Sequence, residues 1–439
     1  MTLAHRIDQR EAVIGVIGLG YVGLPLVRTF RQAGFDVIGF DNDPVKIDKL
    51  CRGENYLPHL GDDLVASLSR RDRAGRGFDP TLDFDRLCEP DAIVICVPTP
   101  LGAHQEPDMS YVQHTVAHIA RSLRPHQLVV LESTTYPRTT REEVLPLLEA
   151  GGLRCGHDFF LAYSPEREDP GRKDHTTQTI PKLVGGINNA SRDMAVRLYR
   201  TAIDRVIPVD SAEIAEAAKL LENIYRAVNI AMVNEMKLVL SAMGIDIWKV
   251  VEAAATKPFG FAPFYPGPGL GGHCIPVDPF YLTWKARKVG QPTRFIELAG
   301  QVNQAMPGHV VQTTALALND QGIAIRGANV LVLGLAYKPD VDDVRESPSL
   351  VIIEKLQAAG ANVQYNDPHV PATHKMRHHD LKMRSTPLTG NTLSQTDCVL
   401  IATHHSAYDW QMIMDHASLV VDTRNAMHGV TGKAHVVRA

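Results

Sequence analysis

Residues 12–27 read AVIGVIGLGYVGLPLV. Val13 to Ile17 make a short apolar run, as a parallel strand buried on both faces requires. Directly behind it, Gly18, Gly20 and Gly23 stand at GxGxxG spacing, and the helical stretch that follows ends near Gly34. A second apolar run, DVIGF, closes on Asp41, 18 residues after Gly23. Each part has a task in a dinucleotide-binding βαβ unit. Gly18 permits the tight turn, Gly20 lets backbone approach a pyrophosphate, and Gly23 lets helix and strand pack closely. The helix N-terminus attracts the anion and the acid bonds a ribose 2′-hydroxyl. Because Asp41 would repel a 2′-phosphate, the order predicts NAD and not NADP.

Further strands follow at AIVICVPTP (92–100) and QLVVLEST (127–134), each ending in small polar residues. Ligands of such sheets lie at the carboxyl ends of the strands, which sets Thr99, Ser133 and Thr134 beside a cofactor. Read as ordinary strand-end turns, the same residues need no ligand.

The end of the chain repeats its beginning. NVLVLGLAYKPD (329–340) parallels IGVIGLGYVGLP, with Gly334 in the place of Gly18. AAGANVQYND (358–367) echoes QAGFDVIGFD (32–41), which sets Asp367 opposite Asp41. The fold class expected is therefore α/β, with two Rossmann-like doubly wound domains. The second has Ala336 for the middle glycine, gains Lys338, and carries the insertion DVDDVRESPS. A lysine at the phosphate-facing turn points to an anion held by charge, and so to a nucleotide that is not a second redox cofactor.

A helical middle joins the two. Residues 211–243 contain no glycine or proline, with Asp210 as the expected N-cap and Gly244 as the C-terminal stop. A helix of that length commonly joins domains or forms a subunit interface. The expected domains are 1–208 (NAD-binding), 209–310 (helical, with one long helix and the Cys274 loop) and 311–439 (the second Rossmann-like, nucleotide-binding unit). Along the helix Lys219, Asn223 and Arg226 recur at i, i+4 and i+7, either a solvated stripe or part of a site.

PGPGLGGHCIPVDP (266–279) gives Cys274 an irregular setting that a packing cysteine does not need. Glycines remove side chains that would block a ligand, and prolines limit the loop's conformations. Asp278, four residues on, falls on the thiol's side if Ile275 onward turns as a helix. A nucleophilic thiol needs such access and a neighbouring base or cation. The other cysteines, Cys51, Cys88, Cys96, Cys155 and Cys398, read as packing residues. Glu166 in AYSPERED ends another strand, where a charge is often merely solvated.

Bulk composition bounds the rest. The 439 residues are 44% hydrophobic and 21% charged, with a net charge of −4. No basic block suggests a nucleic-acid partner, and no apolar run approaches the roughly 20 residues of a membrane span. The N-terminus lacks a signal peptide's apolar core, and the cysteines show neither CxxC nor metal-ligand spacing. These features predict a cytoplasmic protein without a metal site.

Eight segments in order carry a resemblance: GLGYVGLP, VPTPL, ESTTYP, SPERE, AEAAKLLENIYRAVNIA, PGPGLGGHCIPVDP, AYKPDVDDVRESP and VVDTR. With them the chain resembles the UDP-glucose/GDP-mannose dehydrogenase family along nearly its whole length. SPEREDPG, TKPFGF and GGHCIPVDP are similar to the branch acting on UDP-N-acetylhexosamines.

The resemblance implies a four-electron oxidation of a sugar C6 alcohol to a carboxylate, consuming two NAD. UDP-N-acetylglucosamine is the expected substrate, with UDP-N-acetylmannosamine or UDP-glucose as alternatives, and a two-electron hydroxyacid dehydrogenase or a non-catalytic nucleotide-sugar binder as the readings of another class. It implies Cys274 as the nucleophile that carries a thiohemiacetal and then a thioester. Lys219 and Asn223 would steady the oxyanion, Glu166 would serve as general acid/base, and Thr134 and Asp278 would position water and assist proton transfer. NAD contacts are implied at Tyr21, Val22, Lys46, Pro98 and Arg345, beside the residues already named. Substrate contacts are implied at Arg167, Lys257, Phe264, Gly267, Gly269, Gly271, Gly272, His273, Tyr337, Lys338 and Arg424, and a homodimer through the long helix is expected. Two positions depart from the UDP-glucose branch: Pro170 replaces a glutamate, and His273 replaces the serine before the nucleophile. His273 would either tune Cys274 or contact the larger acetamido sugar.

Overall fold

The computed structural model describes residues 1–57, 65, 67–68, 75, 77–102, 105–167, 176–272, 275–376 and 378–439. The chain divides into two units, 1–222 with 280–291 and 223–279 with 292–439. His273, Cys274 and Pro170 lie outside the described residues.

In the first unit the apolar runs become strands β1 (Val13–Ile17), β2 (Asp36–Phe40), β3 (Phe78–Thr81) and β4 (Ala92–Ile95). They are followed by β5 (Leu128–Leu131), β6 (Phe160–Tyr163), β7 (Lys182–Gly186) and β8 (Val206–Val209). The sheet order is β3-β2-β1-β4-β5-β6-β7-β8, parallel except between β6 and β7. β4 and β5 are buried along their whole length, as strands covered on both faces must be. Because β1 pairs with β2 on one side and β4 on the other, the order reverses there and opens the crevice where such sheets bind ligands.

The turn after β1 explains its glycines. Gly18 has φ 91°, a conformation that side chains resist, and its amide donates to the Phe40 carbonyl at 2.8 Å. Gly23 opens the helix Gly23–Gln32, where a Cβ would lie 1.8 Å from the Gly18 carbonyl oxygen. Beside Gly20, by contrast, a Cβ would meet nothing within 4 Å. Two glycines thus serve packing, and one keeps space open.

The second unit repeats the scheme with β9 (Asn329–Leu333), β10 (Asn362–Asn366), β11 (Cys398–Ile401), β12 (Leu419–Asp422) and β13 (His435–Arg438). Its order is β10-β9-β11-β12-β13, all parallel. Gly334 has φ 85° and donates to Asn366 at 2.9 Å, as Gly18 does to Phe40. The insertion forms a loop that ends at Ser347, whose side chain caps the helix Pro348–Ala358.

The long helix is Ala212–Ala242, 31 residues and so about 46 Å. Its cap differs from expectation: the Ile214 amide donates to the Ser211 hydroxyl at 3.4 Å, so Ser211, which is one residue nearer the helix than Asp210, fills that role. The stop at Gly244 holds, with φ 71° and the Ile245 amide closing back on the Leu240 carbonyl. The cysteine reading also needs correction. Cys51 and Cys88 are exposed, since each sits at the end of a short surface helix, and only Cys398 is fully buried. Among the described residues no helix is long and apolar enough to cross a membrane.

The glycine geometry separates stability from binding. Gly23→Ala should cost roughly 3 kcal/mol or more in urea unfolding of the first unit, whereas Gly20→Ala should stay within about 1 kcal/mol of the parent. Equal losses for the two variants would contradict the packing described.

Candidate active site

In the first unit, Gly18, Gly20, Tyr21 and Val22 lead into the N-terminus of the helix Gly23–Gln32. Asp41 ends β2 as a buried carboxylate. Its Oδ2 accepts the Leu19 amide at 2.9 Å and its Oδ1 the Asp43 amide at 3.0 Å, while Lys46 Nζ reaches both oxygens at 3.1 and 3.3 Å. Tyr56, which the sequence reading missed, donates its hydroxyl to the Leu19 carbonyl. Burial, and then the charges of Asp41 and Asp43, push that phenol far above its ordinary range. Beyond β4 and β5, Thr99 donates to the Thr134 carbonyl and Ser133 to the Val97 carbonyl, both at 2.7 Å. These hydroxyls tie the two strand-end loops together around Pro98. An open Gly20, a glycine-tight helix start and an acid at the second strand's end fit a dinucleotide.

Glu166 stands just beyond β6. Its Oε1 accepts the Arg167 amide at 2.7 Å, and Lys182 Nζ lies 3.8 Å from its Oε2. Arg167 is held by the Pro181 carbonyl and by Glu222, each at 2.7 Å. Lys182 is only 4% exposed and donates to Glu132 at 2.9 Å, whose other oxygen accepts the Tyr199 hydroxyl. Burial alone would pull the ammonium's pKa down, but Glu132 and Glu166 outweigh it and hold Lys182 charged. A buried cation thus braces the candidate acid/base. The sequence signal was available, a lysine opening the strand KLVGG and a glutamate closing VVLE, yet only folding reveals that they meet. Thr134 is half-buried and Lys219, on the long helix, is buried.

In the second unit, Asn223 donates its side-chain amide to Asp278 Oδ2 at 2.5 Å, and both are buried. Asp278 opens the helix Asp278–Lys288, with 275–277 a turn before it. Arg226 is exposed, so the predicted stripe separates, with Lys219 and Asn223 buried and Arg226 facing outward.

The glycine-rich loop lies in close contact with other segments of the second unit. A Cβ on Gly271 would lie 2.5 Å from Tyr337 Cβ, and one on Gly267 would lie 2.6 Å from Arg424 Nη1. Backbone therefore packs against side chains, and the Gly272 amide also donates to the Arg345 carbonyl of the insertion at 3.0 Å. Gly269 takes φ 136° between them. Tyr337 carries Lys338 Nζ at 5.6 Å from its ring, and Arg345 forms a forked pair with Asp343. Phe264 packs edge-on against Tyr225, and Lys257 lies over Phe259.

Asp367, the counterpart of Asp41, is saturated. It accepts amides from Leu335, Ala336, His369 and Val370, and His405 Nε2 at 3.0 Å. Burial would raise its pKa, but His405 and the amides outweigh it and keep the carboxyl below its ordinary value. Such an acid has no capacity left for a ribose. Asp340, His369 and His405 gather ligand atoms within 4.8 Å of one another. His405 Nδ1 nevertheless accepts the Asp340 amide at 3.0 Å while Nε2 faces Asp367, so both ring nitrogens are committed.

Three family models match the chain in order. The UDP-glucose/GDP-mannose dehydrogenase NAD binding domain spans residues 12–203, the central domain 213–305 and the UDP binding domain 331–429. Protein CapL of Staphylococcus aureus is 36% identical over 411 residues, covering 93% of both chains. UDP-N-acetyl-D-glucosamine 6-dehydrogenase of Pseudomonas aeruginosa is 34% identical over 401 residues, 91% of this chain and 92% of that one. A solved UDP-D-ManNAc dehydrogenase from Pyrococcus horikoshii superposes with a TM-score of 0.83 at 32% identity, over 96% of this chain and 98% of that one.

Proposed function

The chain belongs to the UDP-glucose/GDP-mannose dehydrogenase family, as an NAD-dependent UDP-sugar oxidoreductase, and we propose that it converts the C6 alcohol of UDP-N-acetylglucosamine to the carboxylate. The observation that carries the reading is the buried Asn223–Asp278 contact at 2.5 Å, between two residues to which the family resemblance assigns catalytic roles. Similarity to the Pseudomonas enzyme supports the acetamido-glucose substrate, and similarity to the Pyrococcus structure supports UDP-N-acetylmannosamine as the second reading.

Residues 18–23 and Asp41 would hold NAD, which supplies a hydride acceptor. Four electrons require two equivalents per sugar. The Cys274 thiolate would add to the C6 aldehyde of the first oxidation to give a thiohemiacetal, and loss of a second hydride from C6 would leave a thioester. Water activated by Glu166, with Thr134 and Asp278 positioning it, would release the acid and return the thiol. Lys219 and Asn223 supply a cation and an amide donor, the groups that steady a developing oxyanion. Tyr337, Lys338 and Arg424 would hold the nucleotide, and the free thiols suit a reducing cytoplasm.

The long helix also supports a homodimer. Tyr225, Met232, Met236, Val239 and Met243 are all exposed and recur at helical spacing, with Met243 as much as 65% exposed. A Met232→Glu, Met236→Glu double variant should elute as a monomer in light-scattering chromatography where the parent elutes as a dimer. A parent already monomeric would end that reading.

For the chemistry, each sugar nucleotide is incubated with NAD and the product identified. Two NADH per UDP-N-acetylglucosamine consumed, with Cys274→Ser releasing no acid, is the expected result. One NADH per sugar, or undiminished acid from Cys274→Ser, would remove the covalent route. Turnover of UDP-N-acetylmannosamine alone would transfer the reading to that sugar.

A further inference from the structure

Asn234 and Lys237 lie three residues apart on the long helix and share its buried face. Asn234 is partnered at both ends: its side-chain oxygen accepts the Gly267 amide and its nitrogen donates to Asn303, each at 3.0 Å. Lys237 is not. It is 6% exposed, and its Nζ meets no hydrogen-bond partner among the described residues. A buried ammonium without an acceptor is costly, and a structural role in the core would be filled better by an apolar side chain.

Its charged neighbours are cations. Arg424, at the end of β12, donates Nε to the Ala402 carbonyl at 2.9 Å and turns its guanidinium against Gly267. His309, on the helix Arg294–Asp320, feels the Lys237 charge, and His404, after β11, feels that of Arg424. The nearby acid, Asp422, gives one oxygen to the Arg424 amide at 2.8 Å and the other to the Met427 amide at 2.9 Å. Burial and then Arg424 pull the Lys237 pKa down to about 8, and burial pulls Arg424 down to about 10. A buried lysine beside a buried arginine, with no acceptor at its nitrogen among the described residues, forms a site prepared for an anion.

We propose that Lys237 is a second cationic contact for a phosphate-class anion at the Gly267 turn, acting beside Arg424, and that this anion is the diphosphate of the nucleotide substrate. The inference rests on the UDP-sugar reading above. A bound anion favours the protonated lysine, so binding and proton uptake are linked. Above the free-state pKa, affinity must fall as pH rises.

The test is calorimetric titration of the full-length protein with UDP, with uridine and with inorganic phosphate. For the parent, UDP affinity should fall up to tenfold per pH unit above about pH 8, while uridine affinity should show no Lys237-dependent change. Lys237→Met should bind UDP about tenfold or more weakly at about pH 7.5 and lose the proton uptake. Its melting temperature should rise there. The free protein carries Lys237 with a lowered pKa, so its burial destabilises the fold below about pH 8, and this penalty fades as pH rises through about 8 towards 10.5. Lys237→Arg, charged at every pH used, should retain UDP binding without the slope, which keeps the test valid if the methionine variant does not fold. Parent-like UDP affinity and slope in Lys237→Met would overturn the proposal. So would Lys237-dependent binding of inorganic phosphate with UDP unaffected, since free phosphate would then be the anion. A parent that binds no UDP would instead overturn the substrate reading.

Discussion

A carboxylate that caps the amide just after a strand-ending glycine is the interaction on which the remainder depends, and the chain makes it twice. Asp41 receives the Leu19 amide at 2.9 Å, and Asp367 receives the Leu335 amide at 2.6 Å. Each fixes the turn between first strand and helix, and so fixes where the crevice at the reversal of strand order lies. What differs is what else the acid carries. Among the described residues Asp41 keeps a lysine, Lys46, as its side-chain partner, and that lysine is partly exposed. Asp367 is closed off by His405 and four backbone amides. The same geometry therefore leaves one acid paired with a partly exposed lysine and makes the other a structural knot.

The buried lysines show a comparable division. Lys182 sits between Glu132 and Glu166, and its charge is compensated by the groups it orders. Lys237 is buried to a similar degree beside Arg424, with no acceptor at its nitrogen among the described residues. A compensated charge contributes rigidity to a site; an uncompensated one destabilises the free protein and favours a ligand that supplies the missing charge. The two environments follow from the strands they face. One is lined by carboxylates at strand ends, the other by the arginine that closes β12.

Much of this was legible in the sequence, and for definite reasons. Strand-forming runs such as Val13–Ile17 and Asn329–Leu333 are too apolar to lie anywhere but inside a sheet, and the glycines after them admit few turns. The long helix could be read from an interval free of glycine and proline, although its cap fell one residue later than expected. Tertiary proximity was not legible. Nothing in the order of residues places Lys182 on Glu132, or turns Gly267 and Gly271 against Arg424 and Tyr337, because those contacts join segments far apart in the chain. Nor was exposure legible, for the same reason. Lys219, Asn223 and Arg226 share a helical period, but the packing of other segments against that helix buries only the first two.

Under the proposed function the duplicated nucleotide-binding units divide their labour, with NAD on the glycine-rich turn of the first and the uridine nucleotide at the lysine-bearing turn of the second. Equilibrium binding of NAD and of UDP to Gly20→Val and to Lys338→Ala tests it most directly. The account predicts a crossed result. Gly20→Val should lose NAD affinity by about tenfold or more and keep UDP, and Lys338→Ala should lose UDP affinity to a similar extent and keep NAD. Loss of both ligands in either folded variant, or loss of NAD binding alone in Lys338→Ala, would contradict it.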